Sequence, residues 1–113
     1  MDTIKSSADI SLLFNRGQRY QTPFLTLIVL ETRDQDRYPG GRVAFIAGKK
    51  HGNAVWRNQA KRRMRSLCRD AHLCKPSLDI VFLAKEHVLE ESYRRELEIL
   101  MKTERKIESV WFS

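Results

Sequence analysis

KKHGNAVWRNQAKRRMR, residues 49–65, holds Lys49, Lys50, Arg57, Lys61, Arg62, Arg63 and Arg65 and no acidic residue. Gly52-Asn53 is a turn signal, because both residues tolerate positive φ. Beyond it nothing breaks a helix until Pro76, and Asn53 is placed as the N-cap. At about 100° per residue, Ala60, Met64, Leu67, Cys68 and Ala71 gather in one sector of roughly 100°. Arg57, Lys61, Arg65, Asn58, Arg69 and Arg62 fill the adjacent sector, of roughly 140°. The helix therefore has a packed face and a cationic face, and no Glu at i+4 neutralises the cations. Self-repulsion of this kind is tolerable when a polyanion lies on the face. The bland alternative is a solvated basic surface. Charge of one sign confined to one sector, interleaved with Asn53 and Asn58, favours contact with phosphates or base edges instead.

Outward from this helix the pattern changes to strands. Residues 42–48 precede it and are apolar on both alternating faces, which predicts a central strand. Lys75-Pro76-Ser77 ends the helical region, and residues 78–84 form a further strand. Residues 22–32 (TPFLTLIVLET) are β-branched and apolar and follow a polar stretch. Phe24, Thr26 and Ile28 share one face, and Leu25, Leu27 and Val29 the other; alternation leaves open which face is covered. Residues 33–41 form a polar loop ending in Pro-Gly-Gly. Near the start, Ser6-Ser7, Asp9 and Gly17 bracket a short helix whose apolar face carries Ile10, Leu13 and Phe14. Residues 90–107 form a last helix with Tyr93, Leu97, Leu100, Met101 and Ile107 on one face and Trp111 and Phe112 tucking its end down. Glu90–Arg94, Glu91–Arg95 and Glu98–Lys102 are favourable i,i+4 pairs. The expected fold is α+β, a small two-layer sandwich of order α-β-β-α-β-α with room for one further short strand.

The chain has 113 residues, a length for one domain, residues 1–113, with a modest core. Its formal net charge is +7 and its pI about 9.8. Residues 42–75 carry ten Lys/Arg and one acid, Asp70, hence +9, which leaves −2 for the remainder. The basicity is a patch, and a nucleic-acid backbone is the partner it fits best. A membrane surface fits less well, because the helix has no exposed Trp/Phe/Leu ridge. No apolar run reaches the roughly 20 residues of a bilayer span. The polar N-terminal residues carry no secretory pattern, so two cysteines point to reduced thiols and a cytoplasmic setting. Cys68, His72 and Cys74 have a spacing that could catch a metal, but a fourth ligand is missing and Cys68 belongs to the packed face. The basic stretch contains no carboxylate to hold catalytic metals.

The basic stretch resembles the signature of the protein component of bacterial ribonuclease P. That signature runs Lys-Lys, then Gly (often Gly-Asn-Ala-Val), then Arg-Asn-Arg, Lys-Arg and a further Arg. Lys49, Lys50, Gly52, Asn53, Ala54, Val55, Arg57, Asn58, Lys61, Arg62 and Arg65 match it. Two residues depart. Gln59 stands where the triplet has its second Arg, and Ser66 where the family has Glu or Gln. Arg63, about 40° from Gln59 around the helix, is the candidate to replace the missing cation.

The resemblance covers essentially the whole chain and implies a left-handed β-α-β crossover, against a rule obeyed in about 98% of such units. It implies an RNA-binding subunit of ribonuclease P, which removes the 5′ leader of precursor tRNA, with catalysis and Mg²⁺ belonging to the RNA subunit and no catalytic residue in the protein. The implied partners are the catalytic RNA and precursor tRNA, with the protein monomeric outside the holoenzyme. RNA contacts fall on Lys49, Lys50, Asn53, Arg57, Asn58, Lys61, Arg62, Arg65 and Arg69. Among these, Lys61 and Arg65 lie on the edge nearest the sheet, where the leader would pass. The resemblance places a leader cleft at Ile10, Phe14, Leu25 and Leu27. A stand-alone RNA- or DNA-binding module and a protein-only nuclease are the other readings. Co-purification with one structured RNA, or Mg²⁺-dependent cleavage without RNA, would distinguish them.

Overall fold

The computed structural model describes residues 2–112. The elements in order are β1 (Asp2–Thr3), α1 (Ser7–Arg16), β2 (Gln18–Gln21), β3 (Leu25–Glu31), β4 (Arg42–Ile46), a 3-10 turn (Lys49–His51), α2 (Ala54–Asp70), β5 (Leu78–Ala84) and α3 (Tyr93–Trp111). The five strands form one sheet in the order β1-β4-β5-β3-β2. β4 and β5 are parallel neighbours joined by α2, and β3 runs antiparallel to β5 and β2. The α+β class, the element order and a crossover between parallel strands are as expected, but helices on both faces of the sheet make three layers where two were expected.

Strand alternation sorts the apolar residues onto two faces. Leu25, Leu27 and Val29 of β3, Val43 of β4 and Ile80 and Phe82 of β5 pack with Ala60, Met64, Leu67 and Cys68 of α2 and Leu100 and Ile107 of α3. Ile28, Ala44 and Val81 face the other way and meet Leu13 of α1 and Ile4. Helices thus cover both faces of the central strands. β4 is flanked on one side only by the two residues of β1, so it is nearly an edge strand and not the central one predicted.

Caps and turns follow the expected chemistry with exceptions. Ser6 caps α1, Asn53 caps α2 and Ser92 caps α3, each side-chain oxygen accepting a backbone N–H one turn on. Gly41 has φ +79, and a Cβ there would stand 2.0 Å from the Lys75 carbonyl oxygen, so only glycine closes this loop. On α3, Leu100 and Ile107 are buried as expected, but Met101 and Phe112 are exposed while Glu96 and Thr103 are inside. Trp111 does hold the end down, its indole N–H donating to the Tyr20 hydroxyl at 3.1 Å. Of the predicted ion pairs on this helix, Glu91–Arg95 forms at 3.3 Å, and Arg94 pairs with Glu98 at 3.5 Å.

Candidate nucleic-acid interface

α2 carries the site. Its start is fixed by Asn53, whose Oδ1 accepts the Trp56 N–H at 2.9 Å. Gly52 is not in a left-handed turn: its φ is 174, which is extended backbone. Glycine is needed there because a Cβ would lie 2.7 Å from the Trp56 ring. The 3-10 turn before it presents Lys49 and Lys50 to solvent.

Around its circumference α2 has four strips. Ala60, Met64, Leu67 and Cys68 are at most 1% exposed, and Ala71 beyond its end is 2% exposed. Burial pushes the Cys68 thiol up to about 12. Next comes the strip toward β4, where Arg65 sets its guanidinium 5.6 Å from the Phe45 ring centroid. Lys61 and Arg57 lie on the same row one and two turns earlier, and Arg57 also donates to the Gly52 carbonyl at 3.2 Å. Asn58, Arg62 and Arg69 form the outer, exposed strip. The fourth strip, Gln59, Arg63 and Ser66, faces α3.

Charge pairing separates working cations from structural ones. Among the described residues Lys49, Lys50, Arg57, Lys61, Arg62 and Arg65 form no ion pair. Four cations counted in the basic tract do. Arg42 is buried, donating to both oxygens of Asp79 (3.0 and 2.7 Å) and to Asp9 (3.2 Å). Lys75 is held by Glu104 and Glu108. Arg69 pairs with Asp70 at 3.0 Å, and that carboxylate also accepts the Tyr93 hydroxyl, so Arg69 is the least available of the expected RNA ligands. Its guanidinium, then the Tyr93 hydroxyl, hold Asp70 below the usual carboxylate range.

Arg63 does not replace the cation missing at position 59. Its Nε lies 3.0 Å from Oε1 of Glu96, a residue with no exposed surface, and its guanidinium stacks on Tyr93 at 5.6 Å. Neither Glu96 oxygen accepts a hydrogen bond among the described residues. Arg63 is therefore committed to the α2–α3 contact.

The expected leader cleft divides. Ile10 and Phe14 stand half-exposed on the α1 side of the sheet. Leu25 and Leu27 are 0% exposed and point into the opposite face, beneath α2 and α3. They are core residues, because the sheet is covered on both sides and β3 is apolar on both. What lies beside Ile10 and Phe14 is Leu30, Ile46 and Leu83, all half-exposed. Ile46 and Leu83 are direct cross-strand neighbours, and Leu83 in turn faces Thr26. Arg19 of β2 closes one end, its guanidinium 5.6 Å from the Phe14 ring. Ile46 and Leu83 escaped sequence reasoning, since a uniformly apolar strand does not reveal which of its residues end up uncovered.

Cys68, His72 and Cys74 line one shallow groove with Arg65 and Arg69. Among the described residues no group of three or more His, Cys, Asp or Glu is placed to hold a metal ion. No helix of the described residues is long and apolar enough to cross a membrane.

A single five-stranded sheet whose crossover helix carries a row of unpaired cations defines a small α+β protein of the nucleic-acid-binding class. A family model described as Ribonuclease P matches residues 1–108. The ribonuclease P protein component of Natranaerobius thermophilus is 34% identical over 97 residues, 82% of this chain and 78% of that one. That of Gluconacetobacter diazotrophicus is 30% identical over 105 residues, covering 91% and 88%. The fold is shared with the RNase P protein of Thermotoga maritima (TM-score 0.76, 20% identity, 95% and 98% covered) and that of Staphylococcus aureus (TM-score 0.74, 21% identity, 98% of each covered). The chain belongs to the ribonuclease P protein component family.

Proposed function

We propose that the chain is the RNA-binding subunit of ribonuclease P and assists the catalytic RNA in removing the 5′ leader of precursor tRNA. The observation that carries this reading is the unpaired state of Lys49, Lys50, Arg57, Lys61, Arg62 and Arg65. Elsewhere the protein pairs several cations with carboxylates, as at Arg42, Arg63 and Lys75. A row of cations without counter-charges is the electrostatic footprint of a site for an RNA backbone. Asn53 and Asn58 add uncharged donors beside it. In this reading Arg62 and the lysine pair hold the catalytic RNA. The strip of Ile10, Phe14, Ile46 and Leu83 receives the single-stranded leader, with Arg19 over one end. An aromatic and apolar floor beside cations suits sequence-tolerant binding of single strands. Among the described residues no cluster of His, Cys, Asp or Glu is placed to hold a metal ion; in this reading Mg²⁺ enters with the RNA, and the protein's part is to lower repulsion and position the substrate.

Reconstitution tests this. The protein added to a bacterial ribonuclease P RNA at low Mg²⁺ should raise precursor tRNA cleavage, and the protein alone should cleave nothing. Cleavage that survives exhaustive RNA removal, or no stimulation of the RNA, sinks the proposal.

A further inference from the structure

Between α2 and α3 lies a groove of about 380 Å³, lined by Gln59, Arg62, Arg63, Ser66, Leu89 and Tyr93. Its volume falls within the range of about 300–1,000 Å³ usual for small-ligand sites. It sits on the flank of the RNA-facing helix, and of its lining residues the reading above uses only Arg62. Its wall is built: Arg63 is fixed against Tyr93 and Glu96 and reaches the Leu89 carbonyl at 3.4 Å. Tyr93 is itself held by Asp70, its hydroxyl pushed up to about 12 chiefly by burial and then by that bond. By contrast, the Gln59 amide, the Arg62 guanidinium and the Ser66 hydroxyl have no side-chain partner among the described residues.

We infer that this groove takes one unstacked adenine of a bound RNA, read by Gln59. The inference rests on the proposal that the outer face of α2 binds RNA. Proteins read RNA by sequence at unpaired bases, which stack on aromatic rings or arginine planes and offer their edges to side chains. The groove supplies each part. The fixed Arg63 guanidinium and the Leu89 and Tyr93 side chains give a partly apolar seat. Arg62, exposed at the rim, lies where the nucleotide's phosphate would sit. Gln59 offers a donor and an acceptor side by side, the match for N6 and N7 of adenine. Guanine presents acceptors at both corresponding positions, and uracil is too small to span seat and amide together.

The test uses three fluorescein-labelled RNA heptamers, UUUAUUU, UUUGUUU and UUUUUUU, titrated with the protein at one low salt concentration and followed by anisotropy. The A-containing strand should bind about tenfold tighter than the others, a modest value for one bidentate contact. Gln59→Ala should abolish that preference and leave affinity for UUUUUUU within about twofold of the unmodified protein. Arg62→Ala should weaken all three strands alike. Binding of a bacterial ribonuclease P RNA is measured in parallel. A chain that binds that RNA but prefers no heptamer, or keeps its preference after Gln59→Ala, overturns the adenine groove and leaves the subunit role standing. A chain that binds neither overturns both.

Discussion

Arg42 and Arg63 both belong to the basic tract by sequence, and both are structural. Their carboxylate partners lie on other elements, Asp79 on β5 and Glu96 on α3, so no local spacing reveals them. The Arg42 network also takes the Thr32 hydroxyl at 2.8 Å from Asp79 and joins four parts of the fold. Removing one partner of a buried pair leaves a charge without compensation. Asp79→Ala should therefore cost about 3–5 kcal/mol in a urea titration. Glu96 gives a pH signature. Burial pushes its carboxyl up to about 7, against the opposing pull of Arg63. In the unfolded chain it would titrate near the ordinary 4.5. A carboxyl raised in the folded state favours folding while protonated, so its contribution falls as pH rises from about 4.5 to about 7 and is flat above. Glu96→Gln should remove that part of the slope in a series of thermal melts. An unchanged slope would mean that Glu96 ionises freely in the folded protein.

Among the elements, α2 and β5 were legible because each has one strong signal. α2 has its cap at Asn53 and its apolar stripe, and it spans the residues expected. β5 is an apolar run between a proline break and a lysine. β2 was not legible: Gln18–Gln21 reads QRYQ, a polar edge strand without alternation, placed only by pairing with β3. β1 is two residues long and owes its existence to β4. The two edges of α2 were foreseen by rotation, and Arg65 does lean on the sheet at Phe45. Phe14, expected in the cleft that this edge would border, is on the sheet's other face, since helical rotation says nothing about which side of a sheet a distant helix covers. If the six unpaired cations neutralise about 6 phosphates, RNA affinity should fall with salt at a log–log slope of roughly −4 to −5. Arg62→Ala should flatten that slope by about 1. A slope that does not move would put Arg62 in water.

For the molecule as a whole, the sheet separates two surfaces. The cationic helix lies on one face, and the strip of Ile10, Phe14, Ile46 and Leu83 on the other. Phe14→Ala should weaken binding of precursor tRNA with a long leader and change mature tRNA binding little. Arg62→Ala should weaken assembly with the catalytic RNA first. Phe14 also packs against the core of Leu13, Ile28 and Val81, so a melt must accompany the binding assay. Equal losses for both tRNAs at unchanged melting temperature would remove the leader assignment.

β4 runs beyond the two residues that β1 covers, and the described residues give the far half of its outer edge no strand partner. An uncovered edge is a template for another copy of the same strand, and lysines and arginines beside it are a common safeguard against such growth. Arg65 over Phe45, with Lys61 a turn before it, stands beside that edge. The charges that recruit RNA thus also act as colloidal protection for the bare chain, and added salt weakens recruitment and protection together.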